Sequence, residues 1–97
     1  MKQEQSQPIK ALYRALLSLQ TEEECEALLE DLCTIKELQD LSQRLCVARL
    51  LKEGKSYQVI SRETGASTAT ICRVNKCLVY GKGGYRRALE RGEGKQI

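Results

Sequence analysis

The chain has 97 residues, a formal net charge of +3 at pH 7, five cysteines and no histidine, tryptophan or phenylalanine. This length predicts one small domain whose core is modest, which favours dimerisation. No apolar run reaches the roughly 20 residues of a membrane span, and the N-terminus lacks the apolar centre of a signal peptide. Because the cysteines form no CxxC pair, we expect a cytoplasmic protein with reduced thiols, no membrane contact and no metal site.

The two halves of the chain differ in charge. Residues 1–48 hold five Lys/Arg against nine Asp/Glu, a balance of −4, whereas residues 49–97 hold eleven against four, a balance of +7. A basic half attracts a polyanion because neutralised phosphates release their condensed counterions. A solvated face is the alternative interpretation of such a charge run, but it explains less well why the two halves have opposite signs.

The first helix is predicted from Pro8, which suits an initial helical turn, to about Leu19. Residues 1–7 are polar and are expected to fray. Thr21 and Glu24 then form a capping box, in which the hydroxyl accepts a hydrogen bond from the helix start and the carboxylate reaches back. The second helix is expected to bury four side chains, Cys25, Leu28, Leu29 and Leu32. Both helices are interpreted as core or dimer elements.

A second capping box, Thr34 with Glu37, begins a long central helix that Gly54 ends. The apolar residues of this helix lie on more than one side. Other helices, from this chain or from a partner chain, are therefore expected to surround it. The range 9–54 is predicted to be the helical core and dimerisation region.

Residues 56–80 predict two short helices joined by a tight turn. Gly65 lies where the chain reverses, a position that favours a positive φ and therefore a residue without a Cβ. In the second helix Ile71, Val74 and Leu78 recur on one face. This register is typical of a DNA-binding helix-turn-helix, whose second helix enters a major groove.

The outward face of that second helix, which starts at Ser67 or Thr68, carries short or basic side chains and no acid. Its members are Ser67, Thr68, Ala69, Cys72, Arg73 and Lys76. Short side chains let the backbone approach base edges, and basic ones suit phosphate. An αα-hairpin with a glycine turn also occurs as simple packing, which is the alternative for this segment.

The C-terminal segment, residues 81–97, completes what is predicted to be a single domain. The GKGG run at 81–84 is a flexible break, and residues 85–91 predict a short final helix. Arg86 and Arg87 on this helix either contact phosphate or are simply exposed. The tail that follows is expected to be disordered.

Several segments of the sequence resemble a known protein family. LCTIKELQDLSQRLCVARLLKEG followed by GASTATICRVNKCL resembles the tryptophan repressor superfamily, and ETGASTATICRVN with YGKGGY is similar to its YerC/YecD-like branch. The resemblance covers about residues 8–91. It implies an all-α, intertwined homodimer that acts as a transcriptional repressor, with helix-turn-helix heads facing successive major grooves of double-stranded DNA about 34 Å apart.

The resemblance also implies a set of DNA contacts on the first helix of the motif and at the start of the second. They are Gln58, Arg62, Ser67, Thr68, Ala69 and Cys72, with Lys76 as a phosphate contact. Cys72 stands where the family has a threonine. Because a thiol reads bases poorly, a shifted operator sequence is expected.

In the tryptophan repressor an amino acid binds between the central and recognition helices. The resemblance carries the two arginines and two threonines of that pocket onto Arg44, Arg73, Thr70 and Thr34. A glycine and a serine of the pocket are Val74 and Cys77 here; the valine adds bulk, and the thiol is a weaker partner for an ammonium group. L-Tryptophan is therefore not the expected corepressor, and no cofactor is predicted. A different small molecule at this place, or a DNA contact by Arg73, are the alternatives.

Three other classes of function are considered. A protein-interaction or scaffold module would use the helix-turn-helix only as packing. An enzyme with a cysteine nucleophile would lack a histidine base and a glycine-rich phosphate loop, so no catalytic residue is assigned. Redox sensing through Cys72 on the DNA face is a further alternative.

Overall fold

A computed structural model describes residues 3–94 of the chain, with side chains for residues 6–92. Six helices follow one another in these residues: α1 (Gln3–Leu17), α2 (Glu22–Leu32), α3 (Ile35–Lys52), α4 (Tyr57–Thr64), α5 (Thr68–Tyr80) and α6 (Gly84–Gly94). No strand occurs between residues 3 and 94, which confirms the predicted all-α class. Within the same range no helix combines the length and the apolar character needed to cross a membrane.

The helices fall into two compact units, Met1–Leu38 and Gln39–Ile97, which we call the N-terminal unit and the head. In the N-terminal unit the first capping box forms as predicted. Thr21 Oγ1 accepts a hydrogen bond from the Glu24 amide at 3.1 Å, and Glu24 Oε1 accepts one from the Gln20 amide at 2.8 Å. The local sequence alone therefore sets the start of α2.

The predicted start of α1 is wrong. The helix begins at Gln3 rather than at Pro8, which is its sixth residue. A proline at this position removes one backbone hydrogen bond, and the glutamines and glutamate before it are good helix formers. The fraying expected for residues 1–7 is thus contradicted for residues 3–7, while residues 1 and 2 lie outside the described range.

No described side chain of the N-terminal unit is buried in this single chain. Leu32, which was expected to be buried, is 53% exposed, and Cys25, Leu28 and Leu29 are only half-buried. Large apolar residues of α1 are also exposed, including Tyr13 at 56% and Leu17 at 84%. An amphipathic helix stabilises a fold only when its apolar stripe is covered, and one chain leaves these stripes open.

The head, by contrast, has a closed core. The buried residues come from every helix of the head and from the turn between α4 and α5: Val47, Ala48, Leu50, Ile60, Ala66, Ile71, Val74 and Leu89. The predicted inner face of the second motif helix is confirmed, since Ile71 and Val74 are 0% and 1% exposed and Leu78 packs against the core. The core therefore holds the helix-turn-helix in place through both α3 and α6.

Two helices end at glycines, as the sequence predicted. Gly54 follows α3 with φ +84°, and Gly65 ends α4 in the left-handed region with φ +74°. The Gly65 amide donates to the Ser61 carbonyl at 2.8 Å, which satisfies one of the last carbonyls of α4. At the C-terminus α6 extends to Gly94, so the disorder expected for the tail is wrong for residues 92–94; residues 95–97 lie outside the described range.

Candidate nucleic-acid interface

The turn between α4 and α5 is held by side chains as well as by backbone. Thr64 Oγ1 donates to the Ile60 carbonyl at 2.7 Å and accepts from the Ala66 amide at 3.1 Å. Ser61 Oγ donates to the Ala66 carbonyl at 2.9 Å. From α3, Gln43 Nε2 donates to the Thr64 carbonyl at 3.1 Å. These bonds satisfy polar groups that a turn leaves open, and they link the motif to the central helix.

Ser67 is the N-cap of α5. Its backbone is extended, with φ −72° and ψ 160°, and its Oγ accepts from the Thr70 amide at 3.1 Å. The same oxygen lies 3.1 Å from Thr70 Oγ1, so the two hydroxyls also bond to each other. Ser67 was predicted as a DNA contact. The structure assigns it a capping role at the start of α5, and any base contact must be compatible with that role.

The outward face of α5 lies opposite the buried one. Thr68, Ala69, Arg73 and Lys76 are exposed, and Cys72 is half-buried. The helix contains no acidic residue. Its exposed surface therefore combines two short side chains near the N-terminus with two cations farther along.

Helix α4 adds Gln58 and Arg62, which are both exposed. Within the described residues, the side chains of Arg62, Arg73 and Lys76 form no ion pair and no hydrogen bond. By contrast, Arg49 on α3 is bonded to Glu53 at 3.1 Å. The predicted DNA contacts thus present positive charge that no carboxylate in the described chain neutralises, which is the arrangement that attracts phosphate.

Tyr57, at the start of α4, is a residue that the sequence reasoning missed. The pKa of its phenol is raised above the ordinary 10.0, first by partial desolvation and then by the Cys72 thiol that it faces, while a hydrogen bond with Asn75 opposes the rise. This contact ties α4 to α5. It also places the phenol beside the half-buried Cys72 thiol. No sequence pattern pointed to this contact, because Tyr57 and Cys72 lie on different helices.

The residues proposed for a ligand pocket lie on several different elements of the chain. Arg44 on α3 is half-buried, Arg73 is exposed, and Thr70 is bonded to Ser67. Thr34 belongs to the other unit, where its Oγ1 accepts from the Glu37 amide at 3.0 Å and its amide donates to Glu37 Oε1 at 2.8 Å. This second capping box forms as predicted, and a shared ligand cleft stays a prediction.

The two residues that differ from those of the family pocket lie in different environments. Val74 lies in the core and is 1% exposed, whereas Cys77 is exposed. Cys77 lines an open, largely apolar groove of about 510 Å³ between the end of α5 and α6. The other lining residues are Gly81, Lys82, Gly84, Tyr85 and Ala88. No sequence signal identified this groove.

Arg86 makes a contact that neither sequence alternative described. Its Nη2 donates to the Leu78 carbonyl of α5 at 2.9 Å, across the break between the two helices. The side chain of Arg87, the next residue, is exposed and forms no hydrogen bond or ion pair with the described residues. The two neighbouring arginines therefore differ in role: one holds a helix end and the other is solvated.

Comparison with known proteins gives concordant results. Residues 7–93 match the family described as Trp repressor protein. The uncharacterized protein YerC of Bacillus subtilis (strain 168) is 56% identical over 80 residues, which cover 82% of this chain and 77% of that protein.

Two crystal structures share the architecture. A candidate Trp repressor from Staphylococcus aureus is 44% identical, with a TM-score of 0.84, and the match covers 94% of this chain and 93% of that one. A TrpR-like protein from Eubacterium eligens ATCC 27750 is 49% identical, also with a TM-score of 0.84, and the match covers 88% of each chain.

Proposed function

The chain belongs to the Trp repressor family, and we propose that it is a sequence-specific DNA-binding repressor that acts as a homodimer in the cytoplasm. Membership of this family supports a regulator that binds DNA rather than an enzyme. The finer statements, namely repression, the dimer, the individual DNA contacts and control by a ligand, are part of the proposal. Each rests on particular features of the two units.

The observation that carries the proposal is the two-sided character of α5. Ile71 and Val74 are buried on one side, and Arg73 and Lys76 are exposed on the other. A helix fixed by its inner face presents its outer side chains in a constant geometry, as reading base edges requires. The cations supply affinity for phosphate, and Thr68 near the N-terminus is short enough to meet a thymine methyl group or a base edge.

The open apolar surface of the N-terminal unit supports a homodimer. Leu12 and Leu16 of α1 are 40% and 41% exposed in one chain, and Ile35 at the start of α3 is 77% exposed. A second copy offers the same stripes, so that a two-fold arrangement covers them mutually. Two heads in one dimer would then read two half-sites about one DNA turn apart.

Control by a small molecule is the least constrained part of the proposal. Arg44 and Arg73 supply positive charge on two helices of the head, and Thr70 supplies a hydroxyl. Such groups suit a carboxylate ligand. Val74 is fully engaged in the core, and Cys77 offers only a weak acceptor for an ammonium group, so L-tryptophan is not the proposed effector.

Selection of bound duplexes from a random DNA library, with and without a pool of amino acids, tests the function. A palindromic consensus with half-sites about one turn apart is expected. The double variant Thr68→Ala, Arg73→Ala should lose at least about tenfold in affinity for the selected operator, because base and phosphate contacts each contribute about 1–3 kcal/mol. Lys10→Ala, which removes an exposed cation from α1, is the matched control and should bind normally.

Two results would contradict the proposal. If the library yields no consensus in either condition, the head does not read sequence, and the scaffold alternative is favoured. If the double variant binds the selected operator as well as the wild type does, the assigned face is wrong. A consensus that depends on the amino-acid pool would support control by a ligand.

A further inference from the structure

The C-terminal end of α5, the proposed recognition helix, lacks the positively charged side chain that stabilises a helix at that end. A helix leaves its last four carbonyls without partners in the same helix, and it carries partial negative charge at that end. The last turn of α5 contains no basic residue. The last turn of α5 therefore supplies no cation of its own to compensate the helix dipole at its C-terminus.

Arg86 supplies the missing cation from the next helix. Its guanidinium donates to the Leu78 carbonyl, one of the last four of α5, at 2.9 Å. The bond joins residues eight positions apart. It is a charge-assisted bond to a helix terminus, so it combines a hydrogen bond with a favourable dipole interaction.

The chain between the two helices is shaped so that Arg86 can reach back. The Gly81 amide donates to the Cys77 carbonyl at 2.9 Å, and a Cβ at Gly81 would collide with that same oxygen. On α6, Leu89 is buried in the core that also contains Ile71 and Val74. Helix α6 is thus seated on the inner side of α5 and has a fixed position from which Arg86 acts.

From this geometry we infer that Arg86 is a positioning residue of the DNA-reading head: it closes the C-terminal end of α5 from α6 and fixes the orientation of the recognition helix. This inference rests on the proposed function and deepens it. Arg86 improves discrimination between operator and random DNA without contacting DNA itself. Arg87, which carries the same charge one residue later, has no such role.

Three variants of the full-length protein test the inference: Arg86→Gln, Arg86→Lys and Arg87→Gln. Affinity is measured for the selected operator and for a random duplex over a series of salt concentrations. Arg86→Gln should lower the ratio of operator to random affinity about tenfold, since it removes a hydrogen bond from a charged donor. Arg86→Lys should restore the ratio to within about twofold, because an ammonium group also donates to a carbonyl. Arg87→Gln should leave the ratio unchanged.

The salt dependence separates positioning from a phosphate contact. Loss of a phosphate contact reduces the slope of log affinity against log salt by about 0.9. If Arg86→Gln shows that reduction and leaves the ratio of affinities unchanged, Arg86 is a phosphate contact and the inference is wrong. Equal behaviour of Arg86→Gln and Arg87→Gln in both measurements would also overturn it.

Hydrogen exchange provides a readout that does not depend on DNA. The amides of the last turn of α5, and the Gly81 amide that follows it and is bonded to Cys77, should exchange faster in Arg86→Gln but not in Arg87→Gln. Unchanged exchange in Arg86→Gln would contradict the inference. If the wild type shows no sequence preference, the proposed function fails, and accelerated exchange in Arg86→Gln alone would still establish the closure of α5.

Discussion

The N-terminal unit and the head are both built from amphipathic helices, but they place their apolar residues differently. In the head every helix contributes to one closed core, whereas none of the described side chains of the N-terminal unit is buried. The N-terminal half of the chain is also acidic, and the other half is basic. The comparison teaches that one chain can close the core around its helix-turn-helix while the apolar stripes of its N-terminal helices stay open.

The two units also end their helices differently. Helices α2 and α3, which both start in the N-terminal unit, use capping boxes, in which Thr34 and Glu37, for example, bond reciprocally within four residues. In the head, α4 and α5 begin with a single serine cap each. Their C-terminal carbonyls are held from other helices, by Gln43 and Arg86. Local sequence therefore defines helix ends in one unit, and tertiary contacts contribute to them in the other.

The largest expected effect comes from replacing exposed apolar side chains of the N-terminal unit by polar ones. The double variant Leu12→Gln, Leu16→Gln should raise the dimer dissociation constant at least about a thousandfold, because each covered leucine contributes roughly 1.5–3 kcal/mol in each subunit. Sedimentation velocity over a range of concentrations measures this. Ala11→Gln, on the other side of α1, is the control and should leave the dimer intact. A monomeric wild type would contradict the proposed dimer, because the open stripes would then have no partner.

A smaller but still large effect is expected inside the head. Ile60→Ala removes a fully buried side chain and should lower the free energy of unfolding by about 2–5 kcal/mol. Val79→Ala, at a position 57% exposed, should change it by less than about 0.5 kcal/mol. Urea denaturation followed by circular dichroism, at one protein concentration, measures both. Equal losses in the two variants would show that the head lacks the closed core described above.

Substitutions at the N-cap residues of the two units allow effects on stability to be distinguished from effects on DNA binding. Ser67→Asp should keep the free energy of unfolding within about 0.5 kcal/mol, since aspartate caps as well as serine, whereas Ser67→Ala should lower it by about 1 kcal/mol. The new carboxylate should nevertheless weaken operator binding at least about tenfold, because it faces phosphate. Thr21→Asp makes the comparable change in the N-terminal unit and should preserve both properties. Normal operator binding by Ser67→Asp would place DNA away from the start of α5.

The smallest effect concerns the pH dependence of the head. Because the pKa of Tyr57 is raised in the folded protein, the unfolded chain loses its phenol proton first as the pH rises. Stability conferred by the neutral phenol is therefore present below pH 10 and decreases above it, and Tyr57→Phe should reduce that decrease. Denaturation at a series of alkaline pH values measures the slope, with Tyr80→Phe, at an exposed position, as the control. An unchanged slope in Tyr57→Phe would show that the Tyr57 phenol does not confer this pH-dependent stability.

Sequence patterns predicted much of the head because its signals are local. The left-handed turn at Gly65 and the buried positions Ile71 and Val74 follow from glycine chemistry and helical periodicity, and both are confirmed. The contacts of Gln43 and Arg86 could not be predicted, since they join residues 21 and eight positions apart. The assigned DNA contacts remain predictions, because exposure on an acid-free face is necessary for base reading but does not establish it.

The sequence by itself determined how many helices form and where most of them begin, because capping boxes, turn glycines and the spacing of apolar residues act within a few residues. It also determined that the basic surface accompanies the helix-turn-helix. Only the tertiary structure decided which apolar stripes one chain buries, since periodicity identifies a face but not its partner. It likewise decided that Arg86 holds the end of α5 while Arg87 does not, because the reach of a side chain depends on how two helices pack.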